Sequence, residues 1–405
     1  MKRILILTTV AALTLGGSMT PLSAEPPTGE VKIAPVGVPE ETAKLNAQAA
    51  IDRSLAWLKT QQQPDGGWQK GQEPPAITAL VLRSFVQSGK FDATNPDVKR
   101  GFDKLLSYQL DNGGIFKDLQ GTYNTAIAIT AMTAAHHPQF KEPIDKAVGY
   151  LKSLQWTDAI AGLPNGGKVD ENNPNFGGWG YSKSKGRADG SNLQMALEAL
   201  HDSGLKQDDP AYQNAQKFLS RMQNLSETND QPWTSNDGGF IYTPGNKGES
   251  MAGEYTDSSG RRLLRSYGSM TYAGLKSMIY AGLKKDDPRV KAAWEWIRKN
   301  YTVDENPSMR QNDARNAENG LYYYYQTMAR ALSVYGEPII TDAQGNKHDW
   351  RIDLIQKLAS LQAADGHWQG KERFMEQNPV LATTFATLAL EEALADLKER
   401  PAAPK

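Results

Sequence analysis

The chain has 405 residues, with 45 Lys and Arg against 46 Asp and Glu, and no Cys. This near-neutral balance, without any polybasic block, excludes a surface built for nucleic acid or anionic lipid. The lack of Cys excludes disulfides, thiolate catalysis and Cys-ligated zinc, so stability must come from a packed core.

The chain begins Met1-Lys2-Arg3, continues with the apolar run ILILTTVAALTLGG, and reaches small residues ending in Ser23-Ala24. A basic start, a short apolar core and a small residue at the cut predict a signal peptide over residues 1–24, hence an exported protein, periplasmic or secreted. No later segment approaches the ~20 apolar residues of a membrane span, so none is expected in the mature chain. Residues 25–42, rich in Pro and Glu, read as a solvated linker, 43–397 as one domain, and 398–405 as a frayed tail.

Within that domain one pattern recurs. Six segments carry a helix with a similar end: RSLAWLKTQQ, RGFDKLLSYQ, KAVGYLKSLQ, QNAQKFLSRMQ, KAAWEWIRKNY and LIQKLASLQ. In five of them a Leu precedes a Gln by one helical turn, giving Gln62, Gln109, Gln155, Gln223 and Gln362. The remaining one has Ile297 with Tyr301 in the Gln place. A Gly turn with an aromatic or apolar residue follows, as in Gly66-Gly67-Trp68, Gly177-Gly178-Trp179 and Gly366-His367-Trp368.

Each turn leads into a second helix rich in Ala, Thr and Leu, such as ITALVLRSFV, YNTAIAITAM and LATTFATLALEEAL. Helices apolar almost all round must be buried on most faces, whereas the first helix of each pair is amphipathic. An inner ring of apolar helices inside an outer ring of amphipathic ones satisfies both patterns. The expected fold is therefore all-α, an (α/α)6 toroid of six helix-pair repeats, with an open helical solenoid as the alternative.

The segment from Arg53 to Trp68 resembles, almost position for position, the QW repeat of squalene-hopene and oxidosqualene cyclases, whose toroid is shared by protein prenyltransferases. Leu358 to Trp368 matches its second half, and the resemblance covers roughly residues 45–395. It implies that Gln62, Gln109, Gln155, Gln223 and Gln362, with Trp68 and Trp368, are structural. The Gln amide would tie the outer helix to the start of the inner one while the Trp covers it. Those cyclases protonate their substrate with the middle Asp of a D-x-D-D-T-A motif opening an inner helix. The counterpart here runs Asp189-Gly190-Ser191-Asn192-Leu193-Gln194, so Asp189 matches the first Asp but Ser191 and Asn192 occupy the next two places. The prenyltransferases hold zinc through Asp, Cys and His; here Cys is absent and Gln326 stands where a His could sit. The His residues at 136, 137, 201, 348 and 367 show no ligand spacing, and neither metal nor cofactor is expected.

The three middle units carry long insertions between outer-helix end and inner-helix start: Trp156 to Asp189, Asn224 to Tyr267 and Thr302 to Gly320. All such connections lie at one end of a toroid, so the insertions should crowd one mouth and carry function there. The N-termini of the inner helices meet at the same mouth, and their N–H groups favour an anion or a polar ligand. The candidate binding residues are Arg187, Asn192, Gln194, Tyr123, Tyr267 and Tyr323; Asp189, Tyr272 and Tyr324 are candidates for catalysis. Arg261, Arg262, Arg265, Arg315, Asp257 and Glu318 are further ionisable groups of the insertions.

Three functions fit: a protein that binds a small molecule, glycan or protein partner at the mouth; an isoprenoid cyclase or carrier; and a polysaccharide lyase or hydrolase. Sequence leaves open whether the protein is an enzyme. A deep aromatic cavity with one buried carboxylic acid favours isoprenoids, and a shallow Tyr- and Arg-lined groove favours glycans. A barrel plugged by side chains leaves a scaffold.

Overall fold

The computed structural model describes residues 38–158, 160, 169–181, 187–311 and 313–400. The segment read as a signal peptide lies outside them, as do most of the linker and the last residues of the tail. Helix α1 spans Glu40–Thr60, so the domain begins inside the stretch expected as linker. Eleven more helices follow: α2 (Ala76–Gln87), α3 (Pro96–Leu106), α4 (Gly121–Ala134), α5 (Lys141–Ser153), α6 (Gly190–Asp202), α7 (Pro210–Met222), α8 (Gly268–Tyr280), α9 (Pro288–Asn300), α10 (Leu321–Tyr335), α11 (Trp350–Leu361) and α12 (Pro379–Glu399). Two short antiparallel hairpins interrupt them: β1 (Glu254–Thr256) with β2 (Arg262–Leu264), and β3 (Ile339–Thr341) with β4 (Lys347–Asp349).

The even-numbered helices pack side by side in the order α2, α4, α6, α8, α10, α12, and α12 returns to α2. That closure makes the fold an (α/α)6 toroid and rules out the open solenoid. In α2 every residue from Ala76 to Val86 is buried, whereas in α3 burial is confined to Val98, Gly101, Phe102 and Leu105. The difference follows from the charge content of the two kinds of helix. Helices α3, α7, α9 and α12 start at Asn-Pro or Asp-Pro, where the Asn or Asp side chain accepts the first free N–H groups and Pro needs none.

The repeated Gln joins consecutive outer helices. Gln62 Nε2 donates to the Gly66 carbonyl at 2.8 Å and to the Asp97 carbonyl, in the first turn of α3, at 2.8 Å. Gln109 reaches Pro143 of α5 at 2.9 Å, Gln155 reaches Ala211 of α7 at 2.9 Å, and Gln223 reaches Arg289 of α9 at 2.8 Å. Gln362 reaches Ala50 of α1 at 2.9 Å and so closes the outer ring. Where Gln is missing, the Tyr301 hydroxyl donates to Asp353 of α11 at 2.9 Å.

This corrects the implied tie from outer to inner helix. The Gln sits at the very end of its helix, beside the entering turn of the next outer one, except that Gln362 meets α1 in mid-helix. The inner helix is held instead by a Thr, whose hydroxyl accepts the N–H of the aromatic or apolar turn residue. Thr78 accepts from Trp68 at 2.7 Å, Thr125 from Ile115 at 2.9 Å, Thr271 from Phe240 at 3.1 Å and Thr383 from Trp368 at 2.9 Å. The Trp indole N–H turns back to its own outer helix, Trp68 to Leu58 at 2.7 Å and Trp368 to Leu358 at 2.9 Å.

The turn between Gln and Trp is crowded by the next outer helix. Gly177 has φ +84°, and a Cβ there would lie 1.9 Å from the Asn214 carbonyl oxygen, so only Gly fits. Gln155 is 5% exposed and both its amide protons are engaged. Gln155→Ala is expected to lower unfolding free energy by about 1–3 kcal/mol, read by urea titration, with ligand binding at the mouth unchanged.

Candidate functional site at the toroid mouth

The N-terminal ends of the inner helices and the long connections surround a cavity of about 240 Å3. Inner helices contribute Ile77 and Leu80 from α2, Tyr123 from α4, Ser191 from α6, Ser269 and Met270 from α8, Tyr323 from α10, and Leu381 and Phe385 from α12. Connections add Gln120, Tyr181, Tyr242, Met251, Tyr267, Asn306, Phe374 and Met375. Among the described residues, none that lines the cavity carries a charge.

The polar side of this cavity is a set of phenols and hydroxyls. Gln194 Nε2 donates to the Tyr323 hydroxyl at 2.9 Å, and the Ser191 hydroxyl stands 3.3 Å from the same oxygen. The hydroxyls of Tyr181 and Tyr242 lie 3.5 Å apart, and the Tyr123 and Tyr181 rings stack with centroids at 6.3 Å. Burial raises the hydroxyl pKa of Tyr123, Tyr181, Tyr242, Tyr267 and Tyr323 above the usual phenol range, so these groups stay neutral donors.

Two buried carboxyls flank the cavity without lining it. Asp189 caps α6, accepting the Asn192 N–H and the Asn192 side-chain amide, each at 2.9 Å. Burial pushes its carboxyl up to about 6, against the Asn192 hydrogen bonds and the nearby Arg187 charge. Glu376 accepts the Tyr323 N–H at 2.8 Å at the start of α10, and its second oxygen has no hydrogen-bond partner. Burial pushes it up to about 8, against the N–H groups of Tyr323, Leu321 and Tyr322. A carboxyl raised in the folded state adds stability in full below its unfolded value and loses it as pH climbs through the folded one. Wild type is therefore expected to lose stability relative to Glu376→Gln between pH ~4.5 and ~8, by at most about 1.4 kcal/mol per pH unit. Paired denaturant titrations across that window test this, and parallel curves would refute it.

Of the sequence candidates, Tyr123, Tyr267 and Tyr323 line the cavity, and Gln194 and Asn192 stand directly behind Tyr323 and Asp189. Arg187 lies outside the wall, ion-paired with Glu249 and with its guanidinium 5.4 Å from the Tyr242 ring centroid. Tyr272 and Tyr324 do not reach the cavity. The Tyr324 hydroxyl donates to the Thr302 carbonyl at 2.7 Å, and the two rings meet edge to face at 5.6 Å. In the run Tyr322 to Tyr325, helical rotation turns only Tyr323 inward. The insertion charges have local partners: Asp257 with Arg261, Arg262 with Glu254, Arg315 with Asp313, and Glu318 with Lys371. Arg265 lies over the Tyr255 ring at 4.7 Å.

Sequence reading misses Tyr181, Tyr242, Met251, Phe374 and Met375. Phe374 and Met375 had a usable signal, since they sit in the otherwise polar run KERFMEQN. They occupy left-handed backbone (φ 63° and 66°) and are 45% and 40% exposed at the rim.

The supposed anion site is also corrected at five of the six inner helices, where a side chain takes a first-turn N–H; α4 has no such cap. Asn124 Oδ1 accepts from Ala76 at 2.8 Å, Asn306 Oδ1 from Ser269 at 3.0 Å and Asn378 Oδ1 from Val380 at 2.9 Å. Asp189 and Glu376 do the same for α6 and α10.

Roughly two helical turns below the mouth the barrel is plugged. Glu198 of α6 binds Arg83 of α2 at 2.8 Å and Lys276 of α8, and Arg330 of α10 approaches it at 3.7 Å. Arg330 also pairs with Glu392 at 2.8 Å and Asp202 at 3.2 Å. Glu391 of α12 is buried with neither oxygen hydrogen-bonded, and burial holds it well above the usual carboxylate range.

The apo type II terpene cyclase MstE from Scytonema superposes on this structure with a TM-score of 0.52, covering 87% of this chain and 100% of that one at 13% identity. The protein has an α/α toroid fold. A variant of MstE in complex with its product merosterolic acid A aligns equally well, with a TM-score of 0.53 over 88% of this chain and 99% of that one, at 13% identity. The same toroid occurs in an unsaturated glucuronyl hydrolase specific for heparin, with a TM-score of 0.55 over 89% of this chain and 98% of that one, at 13% identity. Among curated sequences, lanosterol synthase erg7A of Aspergillus fumigatus is 30% identical over 124 residues, which are 27% of this chain and 16% of that enzyme. No protein-family model matches the sequence. At such identities the structural likeness is one of fold, and activity has to be read from the site.

Proposed function

We propose that this toroid is a binding protein for an apolar small molecule of isoprenoid type, held in the mouth cavity. The observation that carries the reading is the uncharged lining, in which Ile77, Leu80, Met270, Leu381 and Phe385 face a rim of tyrosines. At about 240 Å3 the cavity holds a short chain, or one end of a longer one that leaves past Phe374 and Met375.

Binding is favoured over cyclisation because protonating an alkene needs a carboxylic acid facing the substrate. Asp189 instead stands outside the lining as a helix cap, its oxygens engaged by Asn192 and the Tyr242 side chain. Binding is favoured over polysaccharide hydrolysis because that reaction needs two carboxyls flanking the sugar bond, while Asp189 and Glu376 are both caps outside the lining. We read the amino-terminal segment as an export signal, so the ligand is met outside the cytoplasm. Binding to farnesol, squalene, cellobiose and heparin fragments, measured by calorimetry, tests the proposal. The isoprenoids are expected to bind one per chain and to be lost in Ile77→Trp, which fills the cavity. Saccharide binding without isoprenoid binding would overturn it.

A further inference from the structure

We propose that the cavity selects ligands with an uncharged polar head, a prenyl alcohol in preference to its diphosphate; this rests on the apolar-ligand reading above. Three independent features at the mouth point the same way.

The first is the disposition of nearby cations. Arg187 is paired with Glu249 outside the Tyr242 ring. Arg373 lies 5.1 Å over Phe374 and directs a guanidinium nitrogen to the Met251 sulfur at 3.7 Å. The cations of the plug are already matched by Glu198, Asp202 and Glu392. Among the described residues no Lys or Arg lines the cavity, so a diphosphate drawn fully inside it would shed its hydration without a cation to replace it, which is strongly unfavourable.

The second feature is the helix termini. Converging N-termini ordinarily attract anions through their N–H groups and dipoles. Here Asn124, Asp189, Asn306, Glu376 and Asn378 each accept a first-turn N–H at five of the six inner helices, leaving only α4 without a side-chain cap among them.

The third is the kind of polar group left at the wall. The Tyr323 oxygen accepts from Gln194, so its own proton remains to be donated towards Ser191 or a ligand. The Tyr181 and Tyr242 hydroxyls form a second pair. Hydroxyls donate and accept, which matches an alcohol, whereas a diphosphate only accepts.

Calorimetry on the full chain at neutral pH with farnesol, farnesyl diphosphate and the saturated hydrocarbon farnesane tests the proposal. Farnesol is expected to bind at least about tenfold more tightly than the diphosphate. Tyr323→Phe is expected to weaken farnesol about fivefold to tenfold and to leave farnesane unchanged. Diphosphate binding equal to or tighter than farnesol overturns the head-group inference and leaves the apolar-ligand reading standing. If none of the three binds, the apolar-ligand reading fails and this one with it.

Discussion

Replacing Glu198 with Leu is expected to lower unfolding free energy by about 3–5 kcal/mol. The Glu198 side chain is 1% exposed, and Lys276 beside it is 0% exposed. Burial opposes ionisation of Glu198, yet the charges of Lys276, Arg83 and Arg330 hold its carboxyl far below the usual carboxylate range. Removing that carboxylate strands Lys276 in the barrel and leaves Arg83 beside the unpaired Glu391. The loss is larger than any one hydrogen bond because the remaining cation keeps its desolvation penalty without its partner. A second substitution separates penalty from attraction. Lys276→Met added to Glu198→Leu is expected to recover a clear part of the loss, since an apolar pair needs no hydration. If the double variant is as unstable as the sum of the single ones, the plug is not held together by this pair. Urea titrations of the four proteins provide the measurement.

Trp179→Ala is expected to cost a similar amount, about 3–5 kcal/mol. Trp179 is fully buried at the turn after α5, and its indole N–H donates to the Leu151 carbonyl at 2.8 Å. Truncation leaves a cavity at this buried position and removes that hydrogen bond. Trp179→Phe keeps most of the packing and loses the N–H, so about 1 kcal/mol is expected. A Phe variant as damaged as the Ala one would show that the hydrogen bond, not the packing, dominates. Both variants are expected to bind mouth ligands normally once folded, because Trp179 does not line the cavity.

The two predictions concern features of unequal legibility. Trp179 stands in a repeated Gly-Gly-Trp turn after a Leu-to-Gln helix end, and that repeat predicts the toroid. The Gln residues are visible for the same reason, although the partner they grip is not. That partner is a backbone carbonyl some 34 to 66 residues later, or 312 earlier at the ring closure, and a carbonyl carries no sequence mark. Glu198, Lys276, Arg83 and Arg330 look like ordinary charges on four separate helices. They become one network only because each points to the barrel axis at the same depth.

The candidate site shows the same division. Tyr123, Tyr267 and Tyr323 are predictable from their place at inner-helix starts, and all three line the cavity. Tyr272 and Tyr324 have equal claims by position, but they lie on the outward side of α8 and α10 and pack against each other. Phe374 and Met375 come from a connection shorter than the three insertions, so length alone does not point to them. The converging helix ends are correctly placed by sequence, but several caps come from distant parts of the chain, as Asn124 does for α2 and Glu376 for α10, whereas Asp189 and Asn378 cap their own helices.

The sequence by itself determined the ring: six helix pairs, apolar inside and amphipathic outside, fastened by a Gln, Gly and Trp repeat. These are local periodicities, written within a few turns of chain. Only the tertiary structure decided that the mouth is an uncharged tyrosine-rimmed cavity above an ionic plug. Charge balance at a buried site depends on which side chains from different repeats meet across the axis, and no spacing within one repeat records that meeting.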